Sequence, residues 1–575
     1  MLSPSRPSPT PIGHVARAFK SLRGWIASVA LFSGLINLLA LTGSIFMLQV
    51  YDRVLTSRSV PTLVALAVMA GALYLLQGVL DLVRTRMLVR MGSRADEILG
   101  RQTYGAVLAL PLKARTESDG LQPIRDLDAI RSFLSGAGPS ALLDLPWIPI
   151  YLAFVFILHA WLGWLATAGA LVLVGLTIAT EFLSRTPAKA AFSAGATRQA
   201  LAAAGRRNAE VLKAMGFAER HQSRWHQANT AYLDAHRQAS DVSGGLGAIS
   251  KVFRALLQSA ILALGAWLTI LGEVSGGAII ASSIVSSRAL APIEQAIANW
   301  KGFLAARESR TRLGTLLDPA ASGPEPLALP PPRHDLMVEG VFAGPPGALS
   351  PTISNLGFRL EAGQGLGIIG PSAAGKSTLA RALVGAWPLL RGSIRLDGAA
   401  LDQWAPAALG AHLGYLPQDI ELMAGTVAEN ISRFEPEADA QAVIAAARAA
   451  NVHDMIVRLP AGYDTLIGAD GAAVSAGQRQ RIGLARALYK DPFLVVLDEP
   501  NSNLDAEGEA ALTSAIEGIR ARKGIVVVIA HRPSAIAAVN LVAVMAEGTI
   551  KLIGPKDEVL AKMTRSPVDI ATKSY

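Results

Sequence analysis

Eight residues beginning at Gly370 have the composition and spacing of a phosphate-binding loop. They read Gly-Pro-Ser-Ala-Ala-Gly-Lys-Ser, which fits G-x-x-x-x-G-K-[ST], and the apolar stretch before them is typical of a buried strand. Backbone N–H groups of such a loop and of the helix after it bind a β-phosphate. Lys376 is expected to contact the β- and γ-phosphates, and Ser377 to ligate Mg²⁺. The predicted nucleotide-binding residues are Gly370, Pro371, Ser372, Ala373, Ala374, Gly375, Lys376, Ser377 and Thr378.

Two adjacent carboxylates follow a second apolar run, PFLVVLDEP at 492–500. Asp498 is placed to hold the Mg²⁺ shell, and Glu499 to polarise an attacking water molecule. An ordinary strand followed by an acidic turn is the alternative. The phosphate loop favours the catalytic interpretation, because phosphoryl transfer needs a metal partner on a neighbouring parallel strand.

The bulk composition indicates a membrane part joined to a soluble part. The chain has 575 residues, of which 51% are hydrophobic, a net charge of +9 and no cysteine. The length suggests about two to four domains. The lack of cysteine excludes disulfides, thiolate zinc sites and thiol catalysis. Much of the Lys and Arg lies between apolar segments, which indicates membrane orientation and not nucleic-acid binding.

Six apolar segments are long enough to be spans, since a spanning helix needs about 20 residues. The sixth is weak, and a soluble helical linker is the alternative there. Long, Arg-rich stretches follow the second and fourth spans, so the positive-inside rule places both stretches in the cytoplasm, where they are expected to continue as helices. The predicted spans are Trp25–Val50, Val60–Leu80, Pro139–Ala160, Trp161–Leu183, Phe253–Gly272 and Gly276–Trp300.

The sixth span carries a polar face that is expected to line a water-filled path. Polar groups on one face inside a bundle usually mark such a route, and Arg254 of the fifth span is expected to join it. The alternative is that the charged residues pair or snorkel at the membrane surface. Asp144 either pairs with a neighbouring Arg or contacts substrate. The residues of the predicted face are Ser282, Ser283, Ser286, Ser287, Arg288 and Glu294.

The order of these segments predicts four regions. A cytoplasmic tail at 1–24 precedes a transmembrane domain at 25–316, which carries long cytoplasmic helical extensions. A Pro-rich linker occupies 317–333. In 334–575, short β-branched runs alternate with helical patterns. The predicted fold is therefore a membrane α-helical bundle of six spans, fused to an α/β P-loop nucleotide-binding domain.

Both halves of the chain resemble an ATP-binding cassette (ABC) transporter of the exporter type. VSAGQRQRIGLARAL at 474–488 is similar to the family's signature loop and helix, GYLPQD to its Q-loop, NSNLD to its D-loop and VVVIAHRP to its switch histidine. The resemblance implies catalytic roles for Gln418 and His531 beside Glu499, and a metal contact for Gln418 beside Ser377 and Asp498. It also implies that ATP lies between the phosphate loop of one subunit and the signature loop of another, so the chain is expected to form a homodimer. The further ATP contacts that it implies are Ser475, Ala476, Gly477, Gln478 and Asp505.

The sequence departs from the family pattern at two positions. Ala476 stands where the signature loop usually has Gly, and its methyl group would be most costly if the backbone needed dihedrals open only to Gly. A working but slower site is the expectation. Gly344 stands where many relatives have an aromatic residue that stacks on adenine. Adenine binding is then expected to be weak or to be supplied elsewhere, for example by Phe342.

Several segments are similar to the type I secretion exporters, in particular their protease-secreting branch. They include LQPIRDLDAIRSFLSG at 121–136, LLDLPWIPIYL at 142–152 and DEPNSNLDAEGEAAL at 498–512. The resemblance implies ATP-driven export, across a bacterial inner membrane, of an unfolded protein with a C-terminal secretion signal. It implies a periplasmic adaptor and an outer-membrane duct as partners, and cassettes in the cytoplasm. The alternatives are an exporter of lipid or of small hydrophobic molecules, and an ATPase-impaired membrane scaffold, which Ala476 suggests.

Overall fold

The computed structural model describes residues 13–113, 120–317, 329–348, 350–468, 474–530 and 533–565. The chain divides into two compact units, a helical unit and a mixed α/β unit, with the main boundary after residue 322. This boundary falls inside the Pro-rich segment at 317–333.

The helical unit contains, among its described residues, six helical stretches that are long and apolar enough to cross a membrane. They confirm the six predicted spans, including the weak sixth. The stretches are His14–Ser57, Val60–Lys113, Gly138–Leu158, Ala160–Arg207, Ala218–Ile270 and Gly276–Leu316. The α-helices described in this unit are α1 His14–Ser21, α2 Arg23–Leu39, α3 Thr42–Gln49, α4 Leu55–Ser57, α5 Val60–Lys113, α6 Gln122–Ser135, α7 Gly138–Asp144, α8 Ile148–Leu158, α9 Ala160–Arg207, α10 Ala209–Ala214, α11 Ala218–Ile270 and α12 Gly276–Leu316. A π-helical turn, Val50–Val54, joins α3 to α4, and a 3₁₀ turn, Leu145–Trp147, joins α7 to α8.

The helices α5, α9 and α11 each continue far beyond the length of a span. Helix α5 has 54 residues, α9 has 48 and α11 has 53. At about 1.5 Å per residue each is roughly 70–80 Å long, whereas a bilayer core is about 30 Å thick. The polar stretches after the second and fourth spans are therefore helical extensions, as their periodicity predicts.

The prediction of a hydrated serine face on the sixth span is wrong for three of its four serines. Ser282, Ser283 and Ser286 are at most 5% exposed, because neighbouring helices pack against this side of α12. The hydroxyl of Ser282 donates to the carbonyl of Ile279 one turn earlier and so needs no water. Ser287 is half-buried.

The charged residues of the spans are mostly paired. Arg254 of α11 forms an ion pair with Glu294 of α12 at 2.9 Å, so this glutamate binds the neighbouring span. Asp144 pairs with Arg84 of α5 at 3.3 Å, which confirms the predicted pairing of Asp144 with a neighbouring arginine.

The α/β unit is built on a six-stranded sheet in the order β12-β11-β3-β10-β9-β6, in which only β12 is antiparallel to its neighbour. A second, antiparallel sheet has the order β2-β1-β4-β5, and β7 pairs with β8. The strands are β1 Asp335–Ala343, β2 Ile353–Glu361, β3 Gly365–Ile369, β4 Leu389–Leu396, β5 Ala399–Ala400, β6 Leu413–Leu416, β7 Gly425–Thr426, β8 Leu466–Ile467, β9 Leu494–Asp498, β10 Ile525–Ile529, β11 Leu541–Ala546 and β12 Thr549–Pro555. The helices are α13 Lys376–Leu383, α14 Pro406–His412, α15 Val427–Ile431, α16 Ala440–Ala449, α17 His453–Val457, α18 Ala476–Leu488, α19 Ala506–Ala521 and α20 Lys556–Arg565.

The central strands are apolar on both faces because both faces of the large sheet are covered. In β9, Val495 and Leu497 belong to one apolar core, whereas Leu494 and Val496 belong to the other. Such continuous hydrophobic strands are typical of buried parallel sheets. Because parallel strands end at the same edge, the residues that follow β3, β6, β9 and β10 are brought together, and these include the predicted site.

Candidate functional site

The phosphate loop connects β3 to α13, in the strand–loop–helix context that its sequence predicts. Gly370 follows the last residue of β3, and a Cβ at this position would lie 2.1 Å from the carbonyl oxygen of Met545. Gly375 caps α13 with a φ of 92°, and a Cβ there would lie 2.6 Å from a side-chain carbon of Ile353. Both glycines of the motif are therefore required by the backbone, which leaves the loop N–H groups free of shielding side chains.

Lys376 lies over the loop and is held there by backbone oxygens. Its ammonium donates to the carbonyls of Gly370 at 2.9 Å and of Pro371 at 2.8 Å, and the residue is 5% exposed. Burial lowers the pKa of Lys376, and the carboxylates of Glu499 and Asp498 oppose this shift. An ammonium has three N–H donors, so one donor remains for a phosphate oxygen.

Ser377 and Asp498 form the centre of the predicted metal site. The Ser377 hydroxyl donates to Oδ1 of Asp498 at 3.2 Å, which joins α13 to the end of β9. Asp498 is 1% exposed, and its Oδ2 has no hydrogen-bond partner among the described residues. Burial raises the pKa of this carboxyl group, and the Ser377 hydrogen bond opposes the rise. A buried carboxylate oxygen without a partner, next to a serine hydroxyl, fits the ligand chemistry of hydrated Mg²⁺.

Gln418 lies at the same edge of the sheet. It follows β6, whose last residue, Leu416, pairs with Leu497 just before Asp498. The side chain of Gln418 is exposed. The structure therefore brings the predicted metal residues Ser377, Asp498 and Gln418 to neighbouring strand and helix ends. His531, the predicted switch histidine, lies outside the described residues.

Glu499 stands directly after β9 in an unusual backbone conformation. Its φ is 51°, in the left-handed region that non-glycine residues seldom occupy, and its N–H donates to the carbonyl of Ile529 at 3.0 Å. Such conformations cluster at functional sites, where the surroundings hold them in place. The left-handed turn at Glu499 thus ends the strand directly after Asp498, and the role of Glu499 in polarising water stays a prediction.

The signature segment begins α18 through a capping box. The hydroxyl of Ser475 accepts from the N–H of Gln478, and the side chain of Gln478 accepts from the N–H of Ser475. Ala476 is the first residue of the helix and is exposed. Its φ is not positive, so alanine carries no backbone cost at this position. Gly477 is more constrained, because a Cβ there would lie 3.0 Å from the carbonyl of Asn503.

Two residues of α18 that sequence reasoning missed connect the signature segment to the residues after Glu499. Gln480 is 2% exposed, donates to the carbonyl of Pro500 and accepts from the N–H of Asn503 at 3.0 Å. Arg481 donates to Asp505 at 2.7 Å. Asp505 also caps α19 by accepting from the N–H of Gly508, and this hydrogen bond and Arg481 lower its pKa. The polar run Gln-Arg-Gln-Arg at 478–481 is the sequence signal for these two residues, although it does not indicate which residues they contact.

Gly344, which stands where many relatives have an adenine-stacking aromatic residue, directly follows β1. A Cβ at Gly344 would lie 3.1 Å from the carbonyl oxygen of Ser350, so the backbone leaves little room for a larger residue. Phe342, the suggested substitute, is half-buried, and the guanidinium of Arg391 lies 6.0 Å from its ring centre. The role of Phe342 in adenine binding stays a prediction.

Comparison with known proteins agrees with this architecture. Residues 353–502 match the family described as ABC transporter, and residues 26–290 match the ABC transporter transmembrane region. The fold matches a bacterial Atm1-family ABC exporter solved with ATP bound, with a TM-score of 0.83 and 25% identity over 96% of this chain and 100% of that one.

Curated relatives extend the similarity to whole chains. The type I secretion system ATP-binding protein PrsD of Rhizobium meliloti (strain 1021) is 54% identical over 96% of this chain and 94% of its own length. The cyclolysin secretion/processing ATP-binding protein CyaB of Bordetella pertussis (strain Tohama I) is 30% identical over 94% of this chain and 76% of its own. The leukotoxin translocation ATP-binding protein LktB of Mannheimia glucosida is 30% identical over 91% of this chain and 75% of its own. The chain is thus an ATP-binding, multi-pass membrane protein and belongs to the ABC transporters, in the type I secretion group that these relatives represent.

Proposed function

We propose that this chain is the ATP-driven motor of a type I secretion system, and that it exports an unfolded protein with a C-terminal secretion signal across the bacterial inner membrane. The observation that supports this most strongly is the similarity to a type I secretion protein over nearly the full length of both chains. The relatives named for cyclolysin secretion and leukotoxin translocation point in the same direction.

The assembly that we propose is a homodimer embedded in the lipid bilayer, with both cassettes in the cytoplasm. A periplasmic adaptor and an outer-membrane duct would continue the path to the exterior. The long helical extensions and their arginine content support the cytoplasmic side for the cassettes. A dimer is needed because one cassette supplies one phosphate loop and one signature loop, and the nucleotide would lie between two copies.

In the proposed reaction, each site residue acts on ATP bound at the phosphate loop. Lys376 and the loop N–H groups neutralise and orient the β- and γ-phosphates. Mg²⁺, held by Ser377, Asp498 and Gln418, would offset the charge that develops on the phosphate oxygens. Glu499 orients the attacking water and accepts its proton, and His531 is proposed to assist at the γ-phosphate.

The partner cassette would complete the site with the N-terminal end of α18. Ala476 and Gly477 present N–H groups at this helix end, where an anion is favoured, whereas the N–H groups of Ser475 and Gln478 are used by the capping box. The helical conformation of Ala476 imposes no backbone cost on alanine, which supports a working ATPase over an ATPase-impaired scaffold.

The test uses full-length protein reconstituted into vesicles with its cassettes outward. We expect ATP-dependent accumulation, in the vesicle lumen, of a labelled unfolded protein that carries a C-terminal secretion signal. Glu499→Gln should still bind ATP but lose hydrolysis by about 100-fold or more, because Asp498 and the metal site remain. Transport of a labelled lipid in place of the polypeptide would contradict the proposal, as would near-parental hydrolysis by Glu499→Gln.

A further inference from the structure

A polar cavity of about 370 Å³ lies among the spanning helices of the helical unit. Helices α2, α5, α7, α8 and α12 contribute to its lining. Its size falls within the range of about 300–1,000 Å³ that is usual for ligand pockets. Polar linings of this kind are costly inside a membrane and generally mark a functional path.

The two carboxylates of the cavity are occupied by protein donors. Arg84 donates to Asp144 at 3.3 Å through one nitrogen and to Asp81 at 2.7 Å through another. The Asn37 amide also donates to Asp144, at 2.8 Å, and the Tyr151 hydroxyl donates to the Asn37 side-chain oxygen at 2.8 Å. This network holds one guanidinium between two carboxylates.

Arg288 is the second arginine that lines the cavity, and unlike Arg84 it is not paired with a carboxylate of the described residues. Its side chain is exposed, and it has no ion-pair or hydrogen-bond partner in the described part of the chain. Arg288 is twelve residues after Gly276, the first residue of α12, which places it about 18 Å along the helix. In a hydrocarbon core about 30 Å thick this is near the middle, where an unpaired guanidinium is expensive.

We propose that this cavity binds an acidic side chain of the polypeptide in transit, with Arg288 as the cation that binds the carboxylate. The inference rests on the proposed function, since it assumes that a polypeptide passes through the helical unit. A guanidinium binds a carboxylate through two parallel hydrogen bonds, which fixes orientation as well as charge. Asp81 and Asp144 in the same walls would repel a doubly charged phosphate more strongly than a single carboxylate, which favours an acidic side chain over a phosphorylated ligand.

The experiment compares two short, unstructured, fluorescein-labelled peptides that differ only by one glutamate or glutamine. Binding to the full-length protein in lipid nanodiscs is measured by anisotropy. We expect the glutamate peptide to bind the parent protein about tenfold more tightly. Arg288→Gln should abolish this preference, whereas Arg288→Lys should keep part of it. Arg53→Gln, which removes an arginine from the outer turn between α3 and α4, is the matched control and should keep all of it.

A photoreactive residue beside the glutamate gives a second measurement that does not depend on any variant. Its crosslinks to the parent protein should map to Ala291 or Gln295, which line the cavity on α12. Equal binding of the two peptides, persistence of the preference in Arg288→Gln, or crosslinks confined to other helices would each overturn the inference. If both peptides bind equally and are transported, only the cavity assignment fails. If neither peptide binds and no polypeptide is transported, the proposed function fails with it.

Discussion

Gln480 is the residue whose removal tests most directly whether α18 positions the segment after Glu499. The side chain is almost fully buried and joins the carbonyl of Pro500 to the N–H of Asn503. Gln480→Ala would leave the buried Pro500 carbonyl without its donor, at a cost of about 1–3 kcal/mol. The N–H of Asn503 belongs to an exposed residue and can donate to water instead, so the loss of its acceptor adds little to this free-energy cost. We therefore expect the segment 499–505 to open more easily by about 1–3 kcal/mol.

The consequence can be measured by hydrogen exchange of the full-length protein, followed by mass spectrometry of peptides from this segment. A loss of about 1–3 kcal/mol corresponds to roughly 5- to 150-fold faster exchange of the amides that open locally. The turnover number for ATP should fall, whereas the KM for ATP should change little, because Lys376 and the phosphate loop are untouched. Gln480→Glu is the sharper variant, since it keeps an acceptor for Asn503 but places an oxygen against the Pro500 carbonyl.

Gln441→Ala is the matched control, because Gln441 is an exposed glutamine at the start of α16. It should leave both exchange and turnover unchanged. Parental exchange in the 499–505 peptides of Gln480→Ala would refute the reasoning, as would a change in KM without a change in turnover.

Three further predictions concern single residues. Lys376→Ala should weaken ATP binding by about tenfold or more, because it removes a charge-assisted contact to the phosphates; tight binding measured by calorimetry would contradict the phosphate-loop assignment. Ala476→Gly should change steady-state ATP hydrolysis by less than about twofold, because the residue is already helical and glycine relieves no strain; a severalfold rise would show that the methyl group crowds the phosphate. Asp144→Asn should destabilise the protein by about 1–3 kcal/mol, because Arg84 loses one of two carboxylates, whereas Glu97→Gln, in an exposed pair, should cost about 0.5 kcal/mol or less in the same denaturation assay.

The cassette was largely predictable because its chemistry depends on local spacing. The phosphate loop combines a buried strand, two glycines with backbone roles and a lysine within eight residues, and each of these features can be read from the order of residues. The pairing of Ser377 with Asp498 follows once both strands are placed in one parallel sheet, since their ends must meet.

Other parts of the site could not be predicted, because they depend on dihedral angles and distant partners. The S-x-x-Q pattern of Ser475 and Gln478 indicates a helix start, but it does not give the dihedral angles of Ala476, which decide whether alanine carries a backbone cost there. The partner of Gln480 lies twenty residues further along the chain, in an irregular loop. Periodicity marks Gln480 only as a polar residue of a helix and says nothing about its burial.

The spans show why serines and charged residues need different treatment in a membrane helix. A serine hydroxyl can donate to a carbonyl of its own helix, as Ser282 does to Ile279, whereas the buried hydroxyl of Ser286 has no hydrogen-bond partner among the described residues. A guanidinium or carboxylate is not neutralised in this way and must find a side chain of opposite charge. Arg84 and Asp144 have done so, and so have Arg254 and Glu294.

The helical unit therefore contains serine hydroxyls and charged side chains, and only the charged side chains indicate where a polar substrate passes. The buried serines of α12 are consistent with close packing between helices, which small residues allow. Arg288, on the same helix, faces a cavity and has no partner within the described residues, so its charge is available to something that enters. We therefore infer that the transport path passes Arg288 on α12. The buried serines of the same helix are assigned to packing between helices.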